Sequence, residues 1–321
     1  MKTKLIILSL EPLESRYTCE WYQQLPKIFN DYIRKSDLYM EVISIDGKSD
    51  KQSNKVTPGA FLNFTDTNIW KNTQLNKIAT MFSEGRISPG DKFLITDAWN
   101  SGVIQIKYMS ELMNIPVEIH SIWHAGSYDP HDFLGRKIKD KKWSYNFERS
   151  LFYASDANYF ATAFHANMFL EKLDSNNDMV RKVYRVGFPF EYLRETLEPY
   201  ANIQKENIIL FPHRIAPEKQ PVVFSHLATM LPEYKFIFCQ DLELTKEQYH
   251  ELLGKAKMVF SANLQETLGI SCFEGMLVNA LPLVPDRLSY KEMYDDMFKY
   301  PSNLTDEMSL IGYEILAQRI K

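Results

Sequence analysis

The chain of 321 residues is long for one compact core and ample for two domains of ordinary size. Apolar residues at 45% and charged residues at 24% exclude a globally disordered chain. The net charge of −4 excludes a uniformly basic nucleic-acid binder, but its spread is uneven: residues 1–190 carry a net +2 and residues 191–321 a net −6, so a polyanionic partner would meet the first half.

The apolar run LIILSL (5–10) is too short to span a bilayer, and no small-residue cleavage site follows it. A buried first strand and a cytoplasmic protein with no membrane span are expected. A helix is expected over Cys19–Lys35, a strand over 39–45, and a loop over 47–60, where Gly47, Ser53, Asn54, Pro58 and Gly59 gather. A helix over Thr73–Glu84 then stops at Gly85, followed by a strand at 92–98, a helix at Val103–Met113, a strand at 116–123, a helix at Asn146–Ala154 and a strand at 157–163. The second half repeats the rhythm, with strands at 207–212, 235–240, 258–262 and 281–285 and helices at 220–231, 245–256 and 270–279.

Strands alternating with helices predict parallel α/β sheets joined by right-handed crossovers. The pattern breaks near Gly187–Tyr200, which predicts a Rossmann-like domain over 1–190 and a second over 191–303, with a cleft between them. The last helix, over 304–321, has no strand after it and is expected to cross back to the first domain. Cys19, Cys239 and Cys272 are scattered without metal-ligand spacing and read as buried reduced thiols. The loop after the first strand, EPLESRYT (11–18), has no glycine, so a dinucleotide fingerprint is absent, and no Walker lysine motif is present.

Two segments of the second half carry chemistry. In FSANLQETLGISCFEGMLVNALPLVP (260–285) a strand, a loop with Glu266, Thr267, Leu268 and Gly269, and a helix with Glu274 follow one another. Ligands bind at such carboxyl strand ends, a helix N-terminus holds phosphate, and a carboxylate on that helix suits the vicinal hydroxyls of a sugar. The bland alternative is a capped helix with solvated carboxylates. In FPHRIAPEKQP (211–221), Arg214 and Lys219 share one short loop after a strand; a planar fork beside a mobile point charge suits a diphosphate, and a solvated basic turn is the alternative.

Taken in order, HRIAPEKQ and ETLGISCFE resemble the donor domain of the retaining GT-B glycosyltransferases of family 4, the glycogen-synthase-like group. The resemblance covers about the last 115 residues well and the first half more loosely. It implies a hexosyl- or pentosyltransferase that uses a nucleotide sugar as co-substrate, with UDP the commonest base, and needs no cofactor or metal. It gives Arg214 and Lys219 the donor diphosphate and its leaving charge, Glu274 the ribose hydroxyls, and Glu266 with the Thr267–Gly269 turn the donor sugar. Two cations and a helix N-terminus can stabilise a departing diphosphate without a metal, in keeping with the absence of a DxD motif.

In the first half, EIHSIWHAGSYDPHDFLGRK (118–137) puts His124 at the end of a strand. The family places a histidine of this kind beside the donor sugar, and His124 takes that role here, whereas His131 reads as a structural histidine. Asp97 ends another strand and could bind an acceptor hydroxyl or cap the following turn. Arg136, Lys137, Lys139, Lys141 and Lys142 give five basic residues in seven, followed by Trp143, Tyr145 and Phe147. Cations beside aromatics suit a nucleic-acid backbone with an unstacked base, against the alternative of a solvated loop.

HAGSYDPHDFLGRK with EPLESRYTCEW is similar to glycosyltransferases of tailed phages, some of which glycosylate 5-hydroxymethylcytosine in their own DNA with glucose or arabinose. That resemblance implies a DNA acceptor, with Arg16, Asp97, Lys139, Lys141 and Lys142 on the acceptor side. The alternatives are a small-molecule, cell-surface glycan or tRNA-nucleoside acceptor, or a non-catalytic sugar-nucleotide binding module.

Overall fold

A computed structural model describes residues 2–13, 17–48, 62–173, 176–306 and 309–321. The predicted loop at 47–60 lies outside the described residues except for Gly47 and Lys48, and Arg16 lies outside them too. The chain divides into two compact units that part at Gly187/Phe188, with Thr162–His165 assigned to the second.

The first unit runs β1 (Thr3–Leu8), α1 (Tyr17–Lys35), β2 (Met40–Ser44), α2 (Phe64–Ser83), β3 (Lys92–Ile95), α3 (Gly102–Leu112), β4 (Glu118–Trp123), α4 (Phe133–Lys137), α5 (Lys141–Ala154), β5 (Ala157–Phe160), α6 (Ala163–Lys172), α7 (Asn177–Val180) and β6 (Val183–Arg185). All pairings in its sheet are parallel, in the order β2-β1-β3-β4-β5-β6. The central strands are buried on both faces, which is why Leu5–Leu8 of β1 read as an unbroken apolar run, while edge strand β2 mixes apolar and polar residues. Ile6, Phe82, Phe93, Ile119, Trp123 and Phe169 anchor one core, and the Trp123 indole N–H donates to Asn158 Oδ1 at 2.8 Å.

The second unit runs α8 (Tyr192–Leu197), β7 (Glu206–Phe211), α9 (Pro221–Met230), β8 (Lys235–Phe238), α10 (Lys246–Lys255), β9 (Ala256–Phe260), α11 (Ile270–Leu277), β10 (Leu281–Pro285), α12 (Tyr290–Met293), β11 (Lys299–Tyr300), α13 (Asn303–Asp306) and α14 (Leu310–Ile320). Its sheet is also parallel, in the order β11-β10-β9-β7-β8. Strands β6 and β11 were not visible in the apolar pattern, because each is two or three residues long and carries too few apolar positions to stand out.

Tyr313, Leu316, Ala317 and Ile320 of α14 are buried in the second unit's core with Val223, Phe224 and Leu227 of α9. Helix α2 begins at Phe64, nine residues earlier than the expected Thr73. Helix α5 begins at Lys141, five residues earlier than Asn146, because Asp140 caps it by accepting from the Lys142 N–H at 3.0 Å. Of the cysteines, Cys272 is buried and Cys19 and Cys239 are half-buried. No helix among the described residues is long and apolar enough to cross a membrane.

Candidate functional site

In the second unit the strand order reverses between β7 and β9. Loops leaving neighbouring strands in opposite directions open a crevice at such a point, the usual ligand position in an open parallel sheet. The two loops that leave there are His213–Gln220 and Ala262–Gly269, the segments that carry the sequence motifs. They are tied together: the Leu264 N–H donates to the Glu218 carbonyl at 2.8 Å. Lys219 Nζ donates to the Gln265 carbonyl at 2.6 Å and lies 3.2 Å from Glu266 Oε2. Arg214 donates from Nε to Glu218 Oε1 at 3.1 Å and pairs with it again through Nη2.

Sequence reasoning missed the residue that braces both loops. Arg287 donates from Nε to the Asn263 carbonyl at 2.6 Å and from Nη2 to the Ala262 carbonyl at 2.7 Å and Gln220 Oε1 at 3.1 Å, and Nη1 pairs with Asp306. No local motif announces it, because the partners of its guanidinium lie 18 to 67 residues away. Asn263 Nδ2 donates to the Tyr290 hydroxyl at 3.1 Å and to Glu266 Oε2 at 3.2 Å, so Glu266 is oriented from two sides.

Helix α11 starts after Gly269, whose φ of +81° is a left-handed conformation, and no side chain caps its first turn. A Cβ at Gly269 would lie 2.6 Å from Tyr290 Cε1, so the position is closed to a side chain on both counts. The Glu266 carboxylate accepts from the Thr267 N–H at 3.1 Å. His213, buried next to Arg214, faces Ser271 Oγ on α11 at 3.5 Å, and its Nε2 has no hydrogen-bond partner among the described residues.

Burial and neighbouring charge shift three titratable groups on these loops and on α11. Burial favours neutral Glu266, but the Lys219 ammonium and the hydrogen bonds to the carboxylate prevail and hold it down at about 2. Burial, then the Lys219 charge, holds His213 down at about 3, so its imidazole is neutral. Glu274 is partly open to solvent but ringed by protein; that burial pushes it up to about 7, against the 3.1 Å hydrogen bond from the Tyr249 hydroxyl.

In the first unit the order reverses between β1 and β3, and a second cluster sits on the loops after β1, β3 and β4. His124 Nε2 lies 2.6 Å from the Thr96 carbonyl and Nδ1 lies 2.6 Å from the Tyr17 hydroxyl. A carbonyl only accepts, so Nε2 carries the proton and Nδ1 accepts from Tyr17. Burial lowers the His124 pKa despite the nearby Asp97 charge, and the ring is neutral. Asp97 is the partner of Lys71, whose Nζ donates to Asp97 Oδ2 and to the Trp99 carbonyl, both at 2.7 Å. Asp97 Oδ1 accepts from the Trp99 N–H at 3.3 Å, so the carboxylate closes its own turn; α3 begins later, at Gly102. Burial would raise the Asp97 carboxyl, but the Lys71 charge holds it low.

The basic run is only partly available. Lys139 and Lys142 are exposed, as are Arg136 and Lys137, but Lys141 turns its ammonium onto the carbonyls of Ser127 and Gly135. Lys141 is therefore a structural cation that holds the 127–135 loop. Trp143 is about half exposed and meets Trp99 edge-on at 6.4 Å between ring centroids. Among the described residues no group of three His, Cys, Asp or Glu side chains is placed to hold a metal ion.

No protein-family model matches the sequence, and no curated protein matches it either. Solved structures do match in fold. Sucrose-phosphate synthase from Thermosynechococcus elongatus aligns with 99% of this chain and 90% of its own at 10% identity, with a TM-score of 0.62. Anabaena HepE in complex with UDP and glucose aligns with 99% and 93% at 10% identity, with a TM-score of 0.56. The catalytic domain of Arabidopsis thaliana starch synthase IV, bound to ADP and acarbose, aligns with 99% and 94% at 9% identity and the same TM-score of 0.56. With its two parallel α/β units, the chain has the GT-B fold of these structures.

Proposed function

We propose that the chain is a glycosyltransferase that draws a sugar from a nucleotide diphosphate. The observation that carries this reading is the meeting of the two motif loops at the β7/β9 reversal, where Lys219 reaches the Gln265–Glu266 turn at the start of α11. UDP and ADP occupy structures of the same fold, which supports a nucleoside diphosphate donor.

Arg214 and Lys219 face the diphosphate, and the N–H groups that open α11 add a positive partial charge beside it. Glu274, ionised, accepts from the ribose hydroxyls. Glu266 and the Thr267–Gly269 turn border the sugar; for neutral His124 a place beside the sugar is what the resemblance to the retaining GT-B enzymes implies. In transfer with retention, the bond from the anomeric carbon to the phosphate oxygen breaks, a bond to the acceptor oxygen forms on the same face, and the acceptor proton passes to the departing phosphate. The growing negative charge is met by fixed cations that need little reorganisation. Glu266 is held ionised and so serves as a hydrogen-bond acceptor and partner of Lys219 rather than as an acid.

The acceptor in this reading is 5-hydroxymethylcytosine in DNA. Its support in the fold is the exposed set Arg136, Lys137, Lys139 and Lys142 beside half-exposed Trp143. The test is transfer of labelled sugar from a panel of UDP, GDP and ADP sugars to DNA that contains hydroxymethylcytosine, beside the same DNA with plain cytosine and in the presence of EDTA. Transfer to the modified DNA alone, undiminished by EDTA, is expected. Transfer only to a small acceptor, a glycan or tRNA overturns the DNA acceptor and leaves the glycosyltransferase; sugar-nucleotide binding without transfer or hydrolysis overturns the enzyme and leaves a binding module.

A further inference from the structure

Glu148 of α5 is fully buried, makes no ion pair among the described residues, and has no part in the chemistry described above. Its Oε1 accepts from the Ser127 N–H at 2.5 Å and from the Trp99 indole N–H at 2.9 Å, and Ser127 Oγ lies 2.9 Å from Oε2. Trp99 stands three residues beyond Thr96 on the loop after β3. Ser127 stands three residues beyond His124 on the loop after β4. One carboxyl group thus bridges the two loops whose near ends are joined by the hydrogen bond from His124 to the Thr96 carbonyl. The fit is tight: a Cβ on Gly126 would fall 2.5 Å from Glu148 Oε1 and would also overlap Tyr128.

We propose that Glu148 is a positioning residue that clamps the loop after β3 to the loop after β4 and so holds His124 in its Nε2–H form against the Thr96 carbonyl. The consequence for sugar transfer rests on the reading of His124 as a group beside the donor sugar.

The clamp is built to work in either protonation state. Ser127 Oγ lies 2.9 Å from Glu148 and 2.8 Å from Ser144 Oγ, and a hydroxyl has one proton to donate. With Glu148 ionised, Ser127 donates to the carboxylate and accepts from Ser144. With Glu148 protonated, the acid donates to Ser127, Ser127 donates to Ser144, and Ser144 donates to the Lys141 carbonyl at 3.3 Å. Burial raises the carboxyl to about 7, so both states are populated near neutral pH. The charged or titratable groups that face it are Lys141, the largest opposing charge, and Tyr145 from α5, and buried Tyr128, itself beside Asp97, Asp129 and Asp132. The Oε1 bonds, which span the two loops, are the same in both states.

Glutamine reproduces the protonated pattern, with its carbonyl at Oε1 and its amide donating to Ser127 Oγ; alanine removes the clamp. Nitrogen-15 NMR on the full chain reads both ends. In the wild-type protein the Trp99 indole N–H shift is expected to titrate with a midpoint at about 7, and in Glu148→Gln to stay flat with pH. His124 is expected to keep the Nε2–H tautomer in wild type and Glu148→Gln and to lose it in Glu148→Ala. In sugar transfer, Glu148→Ala should lower kcat about ten- to a hundredfold with donor KM little changed, as expected of a displaced group, while Glu148→Gln retains kcat.

A wild-type tautomer at His124 in Glu148→Ala, or a Glu148→Gln variant as damaged as Glu148→Ala, overturns the proposal. If Glu148→Ala does not fold, Trp99→Phe, which removes only the bond from the β3 side, takes its place: tautomer exchange at His124 supports the clamp and its absence overturns it. A wild-type protein that transfers no sugar overturns the proposed function alone, since the tautomer comparison still decides the role of Glu148.

Discussion

Lys219 and Glu266, 47 residues apart in sequence, stand 3.2 Å apart between Nζ and Oε2, with the ammonium also bonded to the Gln265 carbonyl. The cation proposed for the diphosphate is therefore already part of the framework of the Gln265–Glu266 turn, whereas the other, Arg214, leans on Glu218 within its own loop. Both cations brace carboxylates shielded from water, so removal of either should cost donor binding and stability together. Arg214→Ala should weaken donor binding or turnover ten- to a hundredfold, about 1.5–3 kcal/mol, and lower Tm because the buried Glu218 carboxylate loses the guanidinium. Lys219→Ala should cost at least as much in donor binding and, by taking the ammonium from Glu266, about 1–3 kcal/mol of stability as well. Titration calorimetry with UDP and thermal unfolding of the two variants read both effects; a wild-type Tm in either variant would contradict the bracing role of its cation.

Acid should loosen the second unit through the same site. Glu266 is held at about 2, below its unfolded value, so the stability it contributes is present above about 4.5 and is lost as pH falls toward 2. His213 is held at about 3, so it too favours the folded state above its unfolded value of about 6.5 and opposes it as pH falls. Urea unfolding between pH 7 and pH 3 should show a decline that flattens in Glu266→Gln and in His213→Asn.

Donor binding should strengthen as pH rises through about 7, where Glu274 ionises, because ribose hydroxyls donate to the carboxylate and not to the acid. The expected change levels off above that pH. Glu274→Gln should bind UDP more weakly at pH 8 and show no such step. A step of the same size in the variant, followed by calorimetry across pH 5.5–8.5, would remove Glu274 from the ribose.

Gly269→Ala should be among the costliest single-methyl additions in the chain. The left-handed backbone and the 2.6 Å approach to Tyr290 act together, at about 2–4 kcal/mol of stability. Donor binding should fall with it, because the first turn of α11 moves. Gly85→Ala tests the share due to backbone alone, since its φ is +67° and no atom lies within 4 Å of the new Cβ.

The DNA acceptor predicts a division within the basic run. Neutralising Lys139 and Lys142 together should flatten the salt dependence of duplex binding by up to about two units, at roughly 0.9 per lost phosphate contact, without loss of stability. Lys141→Ala should instead lower Tm, because its ammonium satisfies the Ser127 and Gly135 carbonyls. An unchanged salt slope in the double variant would remove this run from the acceptor surface.

How much of this was legible depended on length scale. Strands β1, β3, β4, β7 and β9 announce themselves, since most of their buried positions carry apolar side chains, and the two sequence motifs sit on the loops that follow β7 and β9. Helix α5 was read five residues short because the charged Lys141 and Lys142 mask a start set by the Asp140 cap. The same charges led Lys141 to be grouped with its exposed neighbours.

By itself the amino-acid sequence determined the alternation of elements, the parallel sheets and the order of Arg214, Lys219, Glu266 and Glu274 along the chain, because periodicity and turn residues are local properties. Tertiary structure decided which of these groups meet. Strand order brings β7 beside β9 and so Lys219 to Glu266; it brings β3 beside β4 and so Thr96 to His124. Arg287, Lys71 and Glu148 acquire their roles only there, since each is an ordinary charged residue until burial removes water and leaves distant backbone and side-chain groups as its hydrogen-bond partners. The placement of α14 was settled the same way: its apolar face had no partner in the sequence pattern, and α9 supplied one within the second unit.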